Sequence, residues 1–547
     1  MFDIGQRSLP SVNSHSFSRT PQARIPRSQF KRNVRHPMTF CADYLVPVYF
    51  DEILPGDTVK MDWSWIVRLL TPETPFMDNL YIDWFAFACP TRLLHNDWQK
   101  LMGEQEDPGD SIDFSTPKLT SPAGTGYSTP TDWSNPTDAE LAGVLQDYLG
   151  SCPPGVPDFE HHNYGGRMYN FVYNEWFRDQ NLQDSVTVDK DAGPDTYTDY
   201  KLLKRGKRHD YFTSCLPWLQ KGTAEELPLG TSAPVVGLGV TATSWNSPND
   251  QLWYTGGETE TVPALDVGTS GLAKLRMAGP SGGPNNYPDI EVDLTAASAP
   301  TIGQLYESFA IQDLLQTDAR GGTRYIELLN AHFGVTSPDF RLQRPEYLGG
   351  GSFPFMIAPL AQLSQTDTTE LGTLGAAVSA DGANFRFIKS FVEHSYLMVL
   401  VNVRADLTYQ QGVNRQFSRD TRYDFYFPAL ANLGEQAVLN KEIYAQGTSA
   451  DDEVFGYQER WAEYRYGQSY MSDRMRSDHA LSLDVWHLSE DFESLPALNS
   501  AFIQGNTPIP RVSTVTTEPH FIGDFHANAL WTRPLPMYSV PGLKNRF

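Results

Sequence analysis

The stretch Asp57–Leu70, DTVKMDWSWIVRLL, decides the fold class. Val59, Met61, Trp63, Trp65, Val67 and Leu69 alternate with Lys60, Asp62, Ser64, Ile66 and Arg68. An extended chain sends successive side chains to opposite faces, so a period of two describes a strand with one buried and one solvated side. Before it stand the Pro55-Gly56-Asp57 turn and Thr39–Phe50, which is β-rich but broken at Pro47. Leu80–Ala88 is aromatic or aliphatic on both faces and predicts a strand covered on both sides. Phe387–Arg404 holds another long apolar, β-branched run, and Arg511–Thr517 and Ala527–Thr532 read as late strands. Strands at both ends of the chain, with a middle of different character, predict a sandwich whose loops are very long.

Helices are predicted in those loops. Thr137-Asp138-Ala139-Glu140 is a capping box, followed by an apolar face of Leu141, Val144, Leu145, Tyr148 and Leu149 and closed by Gly150. Thr301 and Gln304 repeat the signature ahead of Leu305, Phe309 and Leu314, and Thr323–Phe333 ends before Gly334. No internal repeat is present, so an α-solenoid is excluded. Residues 222–300 stand apart, with eleven Gly, eight Pro and short β-like pieces at Ala233–Thr241, Gln251–Thr255 and Ile290–Leu294. They predict an inserted β subdomain or projection. Trp245, Trp253 and Tyr254 are either its small core or an exposed contact patch.

The 547 residues carry a net charge of −24, unevenly spread. Residues 1–37 hold Arg7, Arg19, Arg24, Arg27, Lys31, Arg32 and Arg35 against the single acid Asp3. This basic arm, rich in Ser and Pro, predicts a segment that is disordered or extended until it meets a surface, and a polyanionic partner. A second cluster, Lys201, Lys204, Arg205, Lys207, Arg208 and His209, lies beside Tyr211, Phe212 and Trp218. Two readings stay open: a surface for single-stranded nucleic acid, or a salt-bridged loop inside an acidic protein. Arg404, Arg415, Arg419 and Arg422 sit among Tyr409, Phe417, Tyr423, Phe425, Tyr426 and Phe427, a composition that suits protein–protein contact.

Catalytic signatures are missing. There is no H-E-x-x-H, P-loop or G-x-S-x-G, and Gly237-Leu238-Gly239 lacks the third glycine of a dinucleotide turn. His161-His162 read as loop histidines, His394 as a buried structural histidine and Asp451-Asp452-Glu453 as a solvated acidic turn, so no metal site is expected. Cys41, Cys89, Cys152 and Cys215 are scattered and predict reduced core thiols. Tyr396–Val403 is the most apolar stretch and too short to span a bilayer, and the first thirty residues show no secretory pattern. From these residues alone the chain is a large β-rich structural or binding protein; a β-sandwich carbohydrate-binding protein or glycosidase is the competing class.

Longer stretches are more specific. They include Asn174–Gln183 (NEWFRDQNLQ), Leu203–Phe212 (LKRGKRHDYF), Ala319–Tyr325 (ARGGTRY), Leu342–Gly349 (LQRPEYLG), Val401–Gly412 (VNVRADLTYQQG), Gly434–Gly447 (GEQAVLNKEIYAQG), Phe455–Tyr466 (FGYQERWAEYRY) and Tyr538–Leu543 (YSVPGL). In these the chain resembles the major capsid proteins of the Microviridae, in the gokushovirus branch of small single-stranded DNA phages. The resemblance covers the chain apart from about residues 222–300 and 360–385. It implies an eight-stranded antiparallel jelly roll, mainly β, with long helical loops and a β-rich protruding subdomain. The parts would be an arm (1–37), the first jelly-roll part (38–221), a variable three-fold protrusion for host attachment (222–300) and the remaining jelly roll (301–547). Also implied are pentamers in a T=1 icosahedral shell around circular single-stranded DNA, made in the bacterial host cytoplasm, with no cofactor and no enzymatic role. Implied partners are an internal scaffolding protein, a DNA pilot protein, a small basic DNA-packaging protein and a bacterial surface receptor. On this picture the arm cations with Lys204, Arg205, Lys207 and Arg208 face DNA. Trp245, Trp253 and Tyr254 would meet a receptor, and the group from Arg404 to Tyr423 would join subunits.

Overall fold

The computed structural model describes residues 25–111, 113–223, 301–365 and 370–538, together with the backbone of six two-residue strands between 224 and 300. Eight long strands dominate: β1 (Ser28–Phe40), β2 (Val46–Ile53), β3 (Thr58–Leu69), β4 (Leu80–Pro90), β5 (Glu346–Pro354), β6 (Leu374–Ser390), β7 (Ser395–Ala405) and β8 (Phe521–Arg533). One sheet runs β1-β8-β3-β6 and is extended past β6 by the strand Met356–Ala361; the other runs β5-β4-β7-β2. The antiparallel pairs nest: β1 with β8, β2 with β7, β3 with β6 and β4 with β5. A hairpin of four nested pairs rolled into two facing sheets is a jelly roll, as expected.

The alternation that begins at Asp57 explains the core. Val59, Met61, Trp63, Trp65, Val67 and Leu69 are all buried. Trp63 and Trp65 reach across to Trp84 of β4, with ring centroids 5.6 and 4.4 Å apart, and Phe525 of β8 meets Trp84 edge-on at 5.5 Å. Large aromatic areas removed from water are the main force holding the sheets together. Gly382, opposite Trp65 on β6, is required there: a Cβ would lie 2.2 Å from the indole ring. Gly56 takes a positive φ in the predicted turn, and the Asp57 carboxylate accepts the Leu54 N–H at 2.9 Å.

Three expectations need correction. The Phe387–Arg404 run is two strands in opposite sheets, β6 and β7, joined by a tight turn at 391–394. Residues 28–37 of the basic arm are ordered as most of β1, because thirteen residue pairs of register with β8 satisfy their backbone groups. Arg511–Thr517 is not a strand; Pro508 and Pro510 lack ladder donors, and Ile509–Val512 forms one helical turn. Pro47 sits inside β2, at a register irregularity against β7.

The β4–β5 connection carries α1 (Asp138–Leu149), α2 (Tyr164–Val172), α3 (Ile302–Gly321) and α4 (Tyr325–Phe333). Thr137 and Glu140 close the predicted capping box, and Gly150 and Gly334 end α1 and α4 in the left-handed conformation. On α3, Phe309 and Leu314 are exposed. The chain divides into two compact units, Met1–Leu219 with Gly321–Phe547, and Gln220–Arg320. In the second, antiparallel pairs join Val235–Val236 to Glu291–Val292, Gly239–Val240 to Leu252–Trp253, and Asp266–Val267 to Ala273–Lys274. Trp245 and Tyr254 lie outside the described residues, as does the side chain of Trp253. All four cysteines are buried thiols, and Cys215 Sγ donates to the Tyr211 carbonyl at 3.3 Å. Among the described residues no helix is long and apolar enough to cross a membrane.

Candidate assembly and nucleic-acid surfaces

The 201–208 run is an extended segment laid between two other parts of the chain. Arg205 N–H donates to Asp43 O and Lys207 N–H to Ile503 O, both at 2.8 Å. Each cation then finds a partner. Lys201 Nζ lies 2.6 Å from Asp138, Arg205 Nη1 2.6 Å from Asp83, Lys207 Nζ 2.8 Å from Glu490 and Arg208 Nη1 2.6 Å from Asp406. Arg205 stacks on Phe85, Lys207 on Phe502, Arg208 on Tyr81, and Lys204 over Tyr44. The Lys207 side chain is only 4% exposed, which removes it from contact with a large polyanion.

Beneath this run, Asp83 on β4 holds both Arg205 and Arg404, the latter at 2.9 Å. Burial opposes the charged carboxylate, yet the Ser352 hydroxyl and the two guanidinium groups outweigh it and hold Asp83 below the usual carboxylate range. Burial and the neighbouring Arg205 pull Arg404 down to about 10. Asp43 has no such cation pair. It accepts Thr507 N–H at 2.6 Å and Thr507 Oγ1–H at 2.8 Å, and burial pushes its carboxyl up.

The second surface is aromatic. Phe417 is 76% exposed and Tyr470 84%, and Tyr423, Phe425, Tyr426, Phe427, Tyr464 and Tyr466 are also exposed. Arginines tie these rings together: Arg419 lies 4.6 Å over Tyr464 and 5.5 Å over Phe425, and Arg422 lies 5.6 Å over Phe427. Arg415 anchors the base through Glu442 at 2.8 Å, and Tyr211 Oη donates to the same carboxylate at 2.9 Å. Phe417 and Tyr470 border a cleft of about 420 Å³ that reaches Phe212 and Glu442. Two residues of the sequence-predicted interface group are half-buried rather than exposed, although Tyr409 still lines this cleft. Arg404 is beside Asp83, and Tyr409 packs 4.9 Å from Phe212 and 6.4 Å from Phe492.

The arm residues divide as well. Arg7, Arg19 and Arg24 lie outside the described residues. Arg32 pairs with Asp51 at 2.5 Å and Arg35 with Asp524 at 2.7 Å, while Lys31 is exposed and Arg27 lies against the Gly56 turn. The remaining candidates are structural. His161 and His162 occupy a short strand, Glu160–His162, paired with Lys118–Thr120. His394 is half-buried, 5.4 Å from the Trp98 ring, rather than deep in the core. Asp451 accepts the N–H groups of Gln446 and Gly447, and Asp452 pairs with Lys441 at 2.8 Å. Among the described residues no cluster of His, Cys, Asp or Glu could hold a metal ion.

Sequence reasoning did not single out Arg167 of α2. It is fully buried, donating from Nε to Asp195 at 2.8 Å and from Nη1 to the Leu94 and Asp191 carbonyls. One arginine in the otherwise uncharged run Tyr164–Tyr173 was the available signal.

Jelly rolls occur in viral capsid and lectin domains, and a broad exposed arginine–aromatic surface suits the capsid class, whose subunits pack against one another. The family model described as capsid protein (F protein) matches residues 18–543. Capsid protein VP1 of Bdellovibrio phage phiMH2K is 43% identical over 98% of this chain and 99% of its own length. Capsid protein VP1 of Chlamydia phage 1 is 38% identical, and that of Spiroplasma virus 4 is 34% identical, each over at least 97% of both chains. The chain belongs to this capsid protein family, in the gokushovirus-type Microviridae. A capsid protein works as many copies in a virion shell, and the carbohydrate-binding and glycosidase alternatives give way to that role.

Proposed function

We propose that this protein forms a T=1 icosahedral shell around a circular single-stranded DNA genome, by way of pentamers, and that its role is structural, not catalytic. The observation that carries the reading is the exposed surface of Phe417, Tyr423, Phe425 and Tyr470 laced with Arg419 and Arg422. Such residues are enriched at the centres of binding surfaces, and clustered exposed rings mark interaction sites. A neighbouring copy covers it on this reading. Arg7, Arg19 and Arg24 of the arm contribute cations toward DNA, and residues 222–300 serve host attachment at the three-fold axes. Assembly takes place in the host cytoplasm with an internal scaffolding protein, a DNA pilot protein and a small basic DNA-packaging protein.

The test is electron microscopy of the protein co-expressed with those partners, with absorbance at 260 and 280 nm on the same fraction. Closed uniform shells with excess 260 nm absorbance are expected. A stable monomer in their presence overturns the reading. Replacing residues 222–300 with a short linker should leave shells intact and abolish adsorption to the host; unchanged adsorption removes the attachment role.

A further inference from the structure

The outer face of the β1-β8-β3-β6 sheet carries cations of a different kind from the 201–208 run. In register across the sheet, Lys31 of β1 lies opposite Leu530, and Leu530 opposite Lys60 of β3. Two strand spacings put the two lysines roughly 10 Å apart. Arg68 lies on the same face of β3, eight residues from Lys60 and therefore roughly 26 Å along the strand. All three side chains are exposed and none has an ion-pair partner among the described residues. The other two cations of the face are neutralised, Arg35 by Asp524 and Arg386 by Asp62. Asp381 of β6 is the face's further carboxylate, with no ion pair among the described residues.

An excess of unpaired cations stands out on a chain whose net charge is −24. The sheet also ends on β1, and the chain before β1 adds Arg7, Arg19, Arg24 and Arg27 with only Asp3 as an acid. That segment is itself basic, so charge complementarity argues against its covering this face. Among the described residues the face carries no exposed aromatic ring, which disfavours base stacking and leaves phosphate as the group recognised.

We propose that this sheet face is a phosphate-binding surface for single-stranded DNA, sequence-independent, with Lys31, Lys60 and Arg68 as its contacts. The proposal rests on the reading that the shell encloses single-stranded DNA, and it locates that contact away from the 201–208 cluster.

The experiment compares the full-length protein with the triple variant Lys31→Gln/Lys60→Gln/Arg68→Gln and a charge-keeping triple variant Lys31→Arg/Lys60→Arg/Arg68→Lys. Binding of an oligo-deoxythymidine is titrated over a salt series, and shells are imaged after co-expression with the assembly partners. Loss of three phosphate contacts should reduce the slope of log K against log salt by roughly 2. The charge-keeping variant should retain the slope, and all three proteins should form shells. Shells with an unchanged slope in the Gln variant overturn the face assignment and leave the capsid reading standing. A Gln variant that keeps its DNA slope but loses an acidic assembly protein from its shells overturns it in favour of a protein partner. Wild-type protein that forms no shells and binds no oligonucleotide ends both readings.

Discussion

Two regions of this molecule gather lysine and arginine, one closely and one spread over a sheet face, and the fold treats them oppositely. The run from Lys201 to Arg208 is folded inward, each acid-paired cation meeting a carboxylate from a distant part of the chain. The outer face of β1 and β3 leaves Lys31, Lys60 and Arg68 in solvent, without ion-pair partners among the described residues. Like compositions become a staple in one place and an open surface in the other. The difference lies in what the tertiary fold brings within about 4 Å, because a buried charge is tolerated only when paired.

The largest expected effect comes from breaking the staple. Asp83→Ala leaves Arg205 and Arg404 buried with no carboxylate, and should destabilise the folded chain by about 3–5 kcal/mol in denaturant unfolding. A loss below about 1 kcal/mol would mean that the run is not a staple. A pH effect comes next. His520 accepts the Ala42 N–H at 3.4 Å, and burial, with Lys204 nearby, lowers its pKa to about 4. The unfolded state takes up a proton below about pH 6.5 while the folded state stays neutral to about 4. Stability is therefore full above that window and falls as pH drops through it, by on the order of 3 kcal/mol. His520→Gln should flatten this part of the stability–pH curve, read as wild type minus variant.

The aromatic surface sharpens the contrast from the side of assembly. Phe417→Ala with Tyr470→Ala should change unfolding by no more than about 0.5 kcal/mol per site, since both rings are exposed, and weaken subunit association by about 2 kcal/mol or more. Sedimentation of the two proteins under assembly conditions separates these effects. Thr137→Ala removes the cap of α1, the helix that presents Asp138 to Lys201, and should cost about 1 kcal/mol. Arg35→Ala, on the exposed side of the comparison, should leave the unfolding midpoint unchanged within error.

Legibility followed locality. The β3 alternation, the capping box at Thr137 and the three β-like pieces between 233 and 294 depend on neighbours a few residues apart, and each was readable. The split of Phe387–Arg404 was less so. The run opens on alternation continued from Phe385 and Arg386, with Phe387 in and Ile388 out, whereas Ser395–Val403 is buried on both faces. That change of pattern was the signal for two strands in different sheets. The order within residues 28–37 was hidden because a polar, basic strand forms there only when β8 supplies its ladder. The aromatic surface near Arg419 was legible by composition, but the inward placement of Arg404 and Tyr409 was not, since exposure is a property of the whole fold.

By itself the sequence determined the family, the strand-forming segments, the helix caps and the two dense groups of cations, because these rest on residue identity and short-range periodicity. Tertiary structure alone decided how four strand pairs nest, which half of an apolar run joins which sheet, and which cations are neutralised. Those outcomes depend on groups hundreds of residues apart, such as Arg205 with Asp83 and Arg35 with Asp524, whose meeting no local pattern encodes.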